Sequence, residues 1–223
     1  METIAPITGP AEAGHDDCRM IRVVFTGSES TGKSTIALKV ATHYGVEVVP
    51  EFVRAFAEEK GGPIEFSDHG AIARGQTALE DEYIARLHRP AAPAPPSLAP
   101  PSTRATARPR RSAFGAEPGL LIQDTDLLST VVYCRHYFGR CPAWIEEAAE
   151  QRRPDLYLLC NTDVPWIADG VRDRGHLRDE MQRLFEEAVK AAGTAHLTLS
   201  GTSEARLREA IRSIDKLLSP HSF

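Results

Sequence analysis

No run of residues in this chain is apolar for long enough to cross a bilayer. The first twenty residues also lack the hydrophobic middle of a signal peptide. A cytoplasmic protein with no membrane partner is therefore expected. Cations are in deficit: 26 Lys and Arg stand against 31 Asp and Glu, a formal net charge of −5. Broad nucleic-acid binding needs many phosphate-neutralising cations, so no nucleic-acid partner is expected either. Cysteine is scarce. Cys18, Cys134, Cys141 and Cys160 include no C-x-x-C pair, which favours reduced thiols over a redox or zinc motif. Cys134, His136 and Cys141 match no zinc-ligand spacing.

Against these absences stands one strong motif. Gly27-Ser28-Glu29-Ser30-Thr31-Gly32-Lys33-Ser34-Thr35 fits G-x-x-x-x-G-K-[ST], the Walker A phosphate-binding loop. Gly27 and Gly32 let the backbone turn tightly beside an anion. Successive N–H groups then cup a polyphosphate, helped by the start of the following helix. Lys33 is expected to reach the β- and γ-phosphates, and the Ser34 hydroxyl to ligate Mg²⁺. Met20 to Thr26 reads as the buried strand that must precede such a loop. Ile36, Val40 and Tyr44 mark the helix that must follow it, with Gly45 as its stop.

The length suits one α/β domain. Residues 1–19, rich in Pro, Gly, Ala and acids, are expected to be a disordered lead-in, with Met20 a candidate start. Val46 to Val49 reads as a short strand ended by Pro50. Glu51 and Arg54 follow it, at the strand end where ligands bind in open parallel sheets. Ile72, Leu79, Tyr83 and Leu87 recur at helical spacing, and Gln76 on that stripe needs a buried partner or a ligand. Residues 89–118 carry half of the chain's 16 prolines and predict a flexible insertion. It joins a helix to the next strand, so it should emerge at the amino ends of the strands, remote from the phosphate site.

Leu120 to Asp124 has the Walker B pattern, an apolar strand ending in a metal-holding acid. Asp126 then either caps the next helix or serves substrate or metal. Tyr133 and Tyr137 on that helix are candidates for stacking on a flat ligand. Pro142 opens another helix, with Trp144, Ile145 and Ala148 expected on its buried side. After the strand at Leu156 to Cys160, the polar stretch from Asn161 to Asp179 carries Arg172, Arg174 and Arg178 and suits a lid over transferring phosphate. A helix through Met181, Phe185 and Val189 follows, then a strand at His196 to Leu199 and an amphipathic helix with Leu207, Ile211, Ile214 and Leu218. The expected fold is a P-loop NTPase three-layer sandwich, a five-stranded parallel sheet with helices on both faces.

Taken together, GSESTGKST, VPEFVRAF, IARGQ, DTDLLSTVVYCRHYFG, DLYLLC and VPWIADGVRDRG resemble the ribosylnicotinamide kinase domain of the NadR type, from residue 20 to 218 outside the insert. The resemblance implies transfer of the ATP γ-phosphate to the 5′-hydroxyl of nicotinamide riboside, with ATP and Mg²⁺ as cofactors. It implies that Lys33 and Ser34 bind ATP phosphate and Mg²⁺, and that Asp124 serves the metal. Glu51 falls on the family's acid, Arg54 on its nearby arginine and Arg172 on its lid arginine, with Arg174 beside it for the nucleotide. Asp126 is the second choice as base. Where better-known members carry a Trp just before the acid, this chain has Pro50. Members fused to an adenylyltransferase carry that domain upstream. Only about twenty residues precede the kinase motifs here, too few for a domain. A separate adenylyltransferase is thus expected downstream of the mononucleotide. Two other readings stay open: a kinase of another nucleoside or a sugar, and a nucleotide-sensing switch with no acceptor.

Overall fold

A computed structural model describes residues 20–88, 119–165 and 177–219. The expected lead-in (1–19), the proline-rich insertion (89–118) and the part of the expected lid that holds Arg172 and Arg174 (166–176) lie outside the described residues.

Five strands form one parallel sheet in the order β2-β3-β1-β4-β5. They are β1 (Met20–Thr26), β2 (Val48–Val49), β3 (Gly119–Asp124), β4 (Leu156–Cys160) and β5 (His196–Leu199). The central strands read as continuous apolar runs because both of their faces are covered. In register, Val23 lies between Ile122 and Leu156, and Phe25 between Asp124 and Leu158. Each such fully buried large side chain contributes about 1.5–3 kcal/mol relative to exposure. The same register sets the end of β3 beside the end of β1, so the Walker B acid reaches the mouth of the phosphate loop.

Helices cover both faces. On one face, α1 (Lys33–Tyr44) and α7 (Ser203–Leu218) pack Ile36, Ala37, Val40, Ala210 and Ile214 against Ile21, Val23, Phe25 and Ile122. On the other lie α3 (His69–Leu87), α4 (Leu127–Phe138), α5 (Ala143–Gln151) and α6 (Arg178–Ala192). A nine-residue helix, α2 (Phe52–Lys60), follows β2 and packs on α3 without a fully buried residue. Gly45 stops α1 with φ 66°, as its placement predicts. β2 is shorter than expected, two residues in place of four, because only Val48 and Val49 pair with β3.

Away from the phosphate loop, α3 is tied to the sheet by charge. Glu80, 3% exposed, pairs with Arg22 of β1 and accepts from Arg152 Nε at 2.7 Å. Removing one member of such a buried group costs about 3–5 kcal/mol, since it strands the others. One packing expectation fails. Trp144, expected on the buried side of α5, is 42% exposed, and the Arg74 guanidinium lies over its ring at 5.5 Å. Ile145 of α5 is fully buried and Ala148, partly buried, packs against the same cluster, so two of the three expected residues make the contact.

The insertion's flanks obey the topology. Gly119 opens β3 opposite Met20, the first residue of β1, at the far end of the sheet from residues 27–35. Replacing residues 89–118 with a short glycine–serine linker should leave the melting temperature and the affinity for a nucleoside triphosphate essentially unchanged. Loss of nucleotide affinity in a folded deletion variant would place the insertion at the site instead.

Candidate active site

The phosphate loop is held by contacts that its sequence motif does not mention. Gly27 has φ 127°, and a Cβ there would stand 2.7 Å from the Cys160 carbonyl oxygen and 3.3 Å from Gln182 Oε1. Only glycine fits both the angle and the gap. Gly32, at φ 80°, caps α1 from the left-handed region, and non-glycine Ser30 is also there at φ 51°. The Ser28 carbonyl gathers the loop inward, accepting from Thr31 Oγ1 at 2.9 Å and from Lys33 Nζ at 2.6 Å. The first turn of α1 holds no acid, so its free N–H groups and dipole favour an incoming anion.

Three side chains from outside grip the same loop. Gln182 of α6 accepts from Ser28 N at 3.1 Å. Arg178, the first residue of α6, donates to Ser30 O at 3.0 Å and Val164 O at 2.9 Å. Arg206 of α7 is 2% exposed, and it donates to Thr31 O at 2.7 Å, Asn161 O at 3.0 Å and Gly201 O at 3.1 Å while pairing with Asp163. Sequence reasoning missed Gln182 and Arg206. A usable signal existed: Arg206 heads the buried stripe Arg206, Ala210, Ile214, and Gln182 sits among Met181, Phe185 and Val189. A polar group on an apolar stripe must find partners.

Residues 30–35, Glu51 and Arg54 line one cleft of about 140 Å³. Glu51 is 9% exposed and pairs with Arg54 at 3.6 Å. Asp124 is 7% exposed and is hydrogen-bonded to Ser34. Burial raises its pKa above the ordinary carboxylate value and nearby Glu51 adds to the rise, while the Ser34 hydroxyl and the Lys33 ammonium oppose it. Asp124 Oδ1 is buried with no hydrogen-bond partner among the described residues. An orphaned carboxylate oxygen beside a serine hydroxyl is the hard-oxygen donor set that a magnesium ion takes.

The remaining sequence candidates divide. Gln76 is buried, but its amide meets main chain: Oε1 accepts from Phe52 N at 2.8 Å and Nε2 donates to Pro50 O at 3.4 Å. Asp126 caps α4, accepting from Leu128 N at 3.1 Å, and its other oxygen accepts from the Tyr157 hydroxyl at 2.7 Å. Tyr133 stacks on Tyr137 with centroids 6.2 Å apart and meets Phe185 edge-on. Tyr137, 41% exposed, borders a second depression with Glu29, Leu177, Arg178 and Met181. Arg172 and Arg174 lie outside the described residues.

Strand, glycine loop, helix and Walker B acid, in this sheet order, define a P-loop nucleotide-binding α/β domain. Residues 22–206 match the AAA domain family AAA_28, and the chain belongs to that family. It is 26% identical over 174 residues to the trifunctional NAD biosynthesis/regulator proteins NadR of Escherichia coli (strain K12) and Salmonella typhimurium (strain LT2). The match takes in 75% of this chain and 35% of each relative, so the chain spans about a third of their length. Among solved structures, NadR protein in complex with NR superposes with a TM-score of 0.60 at 18% identity, over 92% of this chain and 54% of that one. NadR protein in complex with NAD and AMP-PNP gives 0.57 at 19% identity, over 89% and 50%. Thymidylate kinase from Ehrlichia chaffeensis gives 0.52 at 15% identity, over 88% and 99%. The P-loop three-layer fold expected from the sequence is the fold of these proteins.

Asp126 supplies a pH test. Burial pushes its carboxyl up to about 6, against the bonds from Tyr157, Ser129 N and Leu128 N. Unfolded, it titrates near about 4. The folded state therefore holds the extra proton between about pH 4 and 6, and this residue's contribution to stability falls as pH rises through that window. Asp126→Asn keeps a cap and removes the titration. Its melting temperature should gain on that of the wild type from pH 4 to about 6.5; a flat difference across the range refutes the raised value.

Proposed function

We propose that this chain is an ATP-dependent phosphotransferase that converts nicotinamide riboside to nicotinamide mononucleotide by phosphorylating its 5′-hydroxyl. The observation that carries the reading is the meeting of two buried acids with the phosphate loop: Asp124 against Ser34 and Lys33, and Glu51 across the same cleft. A protein that only senses nucleotide needs the loop and Asp124. It does not need a second acid, paired with an arginine, at the mouth. Relatives named for NAD biosynthesis and a like-folded NadR protein in complex with NR favour nicotinamide riboside as the acceptor. Pro50, ahead of Glu51, leaves another nucleoside as the second reading.

Phosphoryl transfer asks little of the protein beyond position and charge. Ser34 and Asp124 would hold a magnesium ion, which would supply positive charge against the triphosphate. Lys33 exchanges its bond to the Ser28 carbonyl for phosphate oxygens. Glu51 takes the proton of the acceptor hydroxyl as that oxygen bonds to the γ-phosphorus. The bridging P–O bond breaks, and its electron pair leaves with ADP. Arg54 holds Glu51 in place at the acceptor side, Tyr137 offers a ring face for the nucleoside, and Arg172 and Arg174 serve the departing phosphate.

An ADP-release assay across nicotinamide riboside, other nucleosides, sugars and no acceptor tests the reading. Release dependent on nicotinamide riboside is expected; equal release without an acceptor would refute a kinase. Glu51→Gln should cut turnover by about 10²–10⁴-fold, the usual worth of a general base, with nucleotide affinity nearly unchanged. Lys33→Ala should lower both.

A further inference from the structure

We propose that Gln76 is a positioning residue for Glu51, and that Gly75 and Gln76 form a latch for the three-residue turn Pro50-Glu51-Phe52. The proposal rests on the reading of Glu51 as the acceptor-side base.

The two groups that flank Glu51 along the chain are the Pro50 carbonyl and the Phe52 amide. One side chain binds both: Gln76 Oε1 accepts from Phe52 N at 2.8 Å, and Gln76 Nε2 donates to Pro50 O at 3.4 Å. The amide orientation is forced, because a backbone N–H on one side and a backbone C=O on the other demand an oxygen and a nitrogen respectively. Phe52 N opens α2, where no intrahelical acceptor exists for it. Nothing on α2 itself satisfies that donor: Glu51 is the N-cap residue, and its side chain makes no cap bond. Gln76 therefore supplies, from α3, an acceptor for a first-turn donor that the helix start cannot pair within itself.

The next residue completes the seat. A Cβ on Gly75 would stand 2.2 Å from the Phe52 ring, so that ring lies directly on the bare backbone of α3. Glu51 is thus fixed from both of its neighbours: by two hydrogen bonds to Gln76 and by the docking of Phe52 on Gly75. The support is needed because α2 has no fully buried residue of its own and β2 is two residues long. Without the latch, a short strand and a loosely packed helix would hold the acid. Gln76 itself is 4% exposed, so it acts on the chemistry through Glu51 and not by touching substrate.

Two readouts test the latch separately from the acceptor's identity. In hydrogen exchange by NMR, Gln76→Leu should raise the exchange rate of the Phe52 amide at least about tenfold, while Gln76→Glu, which keeps an acceptor, should raise it far less. Unchanged Phe52 exchange in Gln76→Leu would overturn the latch whatever the enzyme phosphorylates. The second readout is a double-mutant cycle on kcat, run with whichever acceptor the panel identifies. Gln76→Leu should lower kcat by about tenfold to a hundredfold, the effect of an ångström-scale misplacement, with nucleotide Kd held. In the Glu51→Gln background the same substitution should cost almost nothing more. Additive losses would mean that Gln76 does not act through Glu51. Gly75→Ala, expected to show the same loss in kcat and the same non-additivity, serves if Gln76→Leu fails to fold. Failure of the nicotinamide riboside reading shows in the acceptor panel alone and leaves the exchange result standing.

Discussion

The carboxyl rim of the sheet depends on one close approach, the passage of Gly27 against the end of β4. With 2.7 Å between a would-be Cβ and the Cys160 carbonyl, the chain leaves β1 through a gap that admits backbone alone. That entry fixes where the loop begins, and the grip of Gln182, Arg178 and Arg206 fixes the rest. The loop's concavity is therefore set before any ligand arrives. An anion entering it meets donors already in place, which is the condition for strong electrostatic binding without reorganisation.

The sheet order then distributes the chemistry. β1 carries the phosphate loop, β3 beside it carries Asp124, and β2 beyond delivers Glu51. The acids thus approach the cleft from one side, while Arg178 and Arg206 approach from the β4 side, where helices α6 and α7 begin. Arg206 joins the loop to the ends of β4 and β5 at once, through Thr31, Asn161, Asp163 and Gly201. Nucleotide-side loops that would otherwise move independently share one buried cation.

Much of this was legible in the residues themselves. The spacing of Gly27, Gly32, Lys33 and Ser34 is a local signal, because the phosphate cradle is made by consecutive backbone groups. Alternation of apolar runs with helical stripes carried the parallel sheet, and Asp124 followed from its place at the end of such a run. What stayed hidden was long-range. Gln76 was visible as a polar residue on an apolar stripe, but its partners lie 24 and 26 positions away and depend on how α3 crosses β2. Arg206 reaches 175 positions back to Thr31, a distance no periodicity encodes. Trp144 misled because its size suggests burial, whereas α5 turns Ile145, Ala148 and Ala149 to the core and leaves the indole to Arg74.

The brevity of β2 also bears on the outer border of the sheet. It is an outermost strand, and its two paired residues run straight into Pro50, whose nitrogen carries no hydrogen. A foreign strand seeking to extend the sheet along that border would find too few main-chain donors to hold it. The same proline that precedes the candidate base therefore blunts one flank of the molecule against edge-to-edge aggregation.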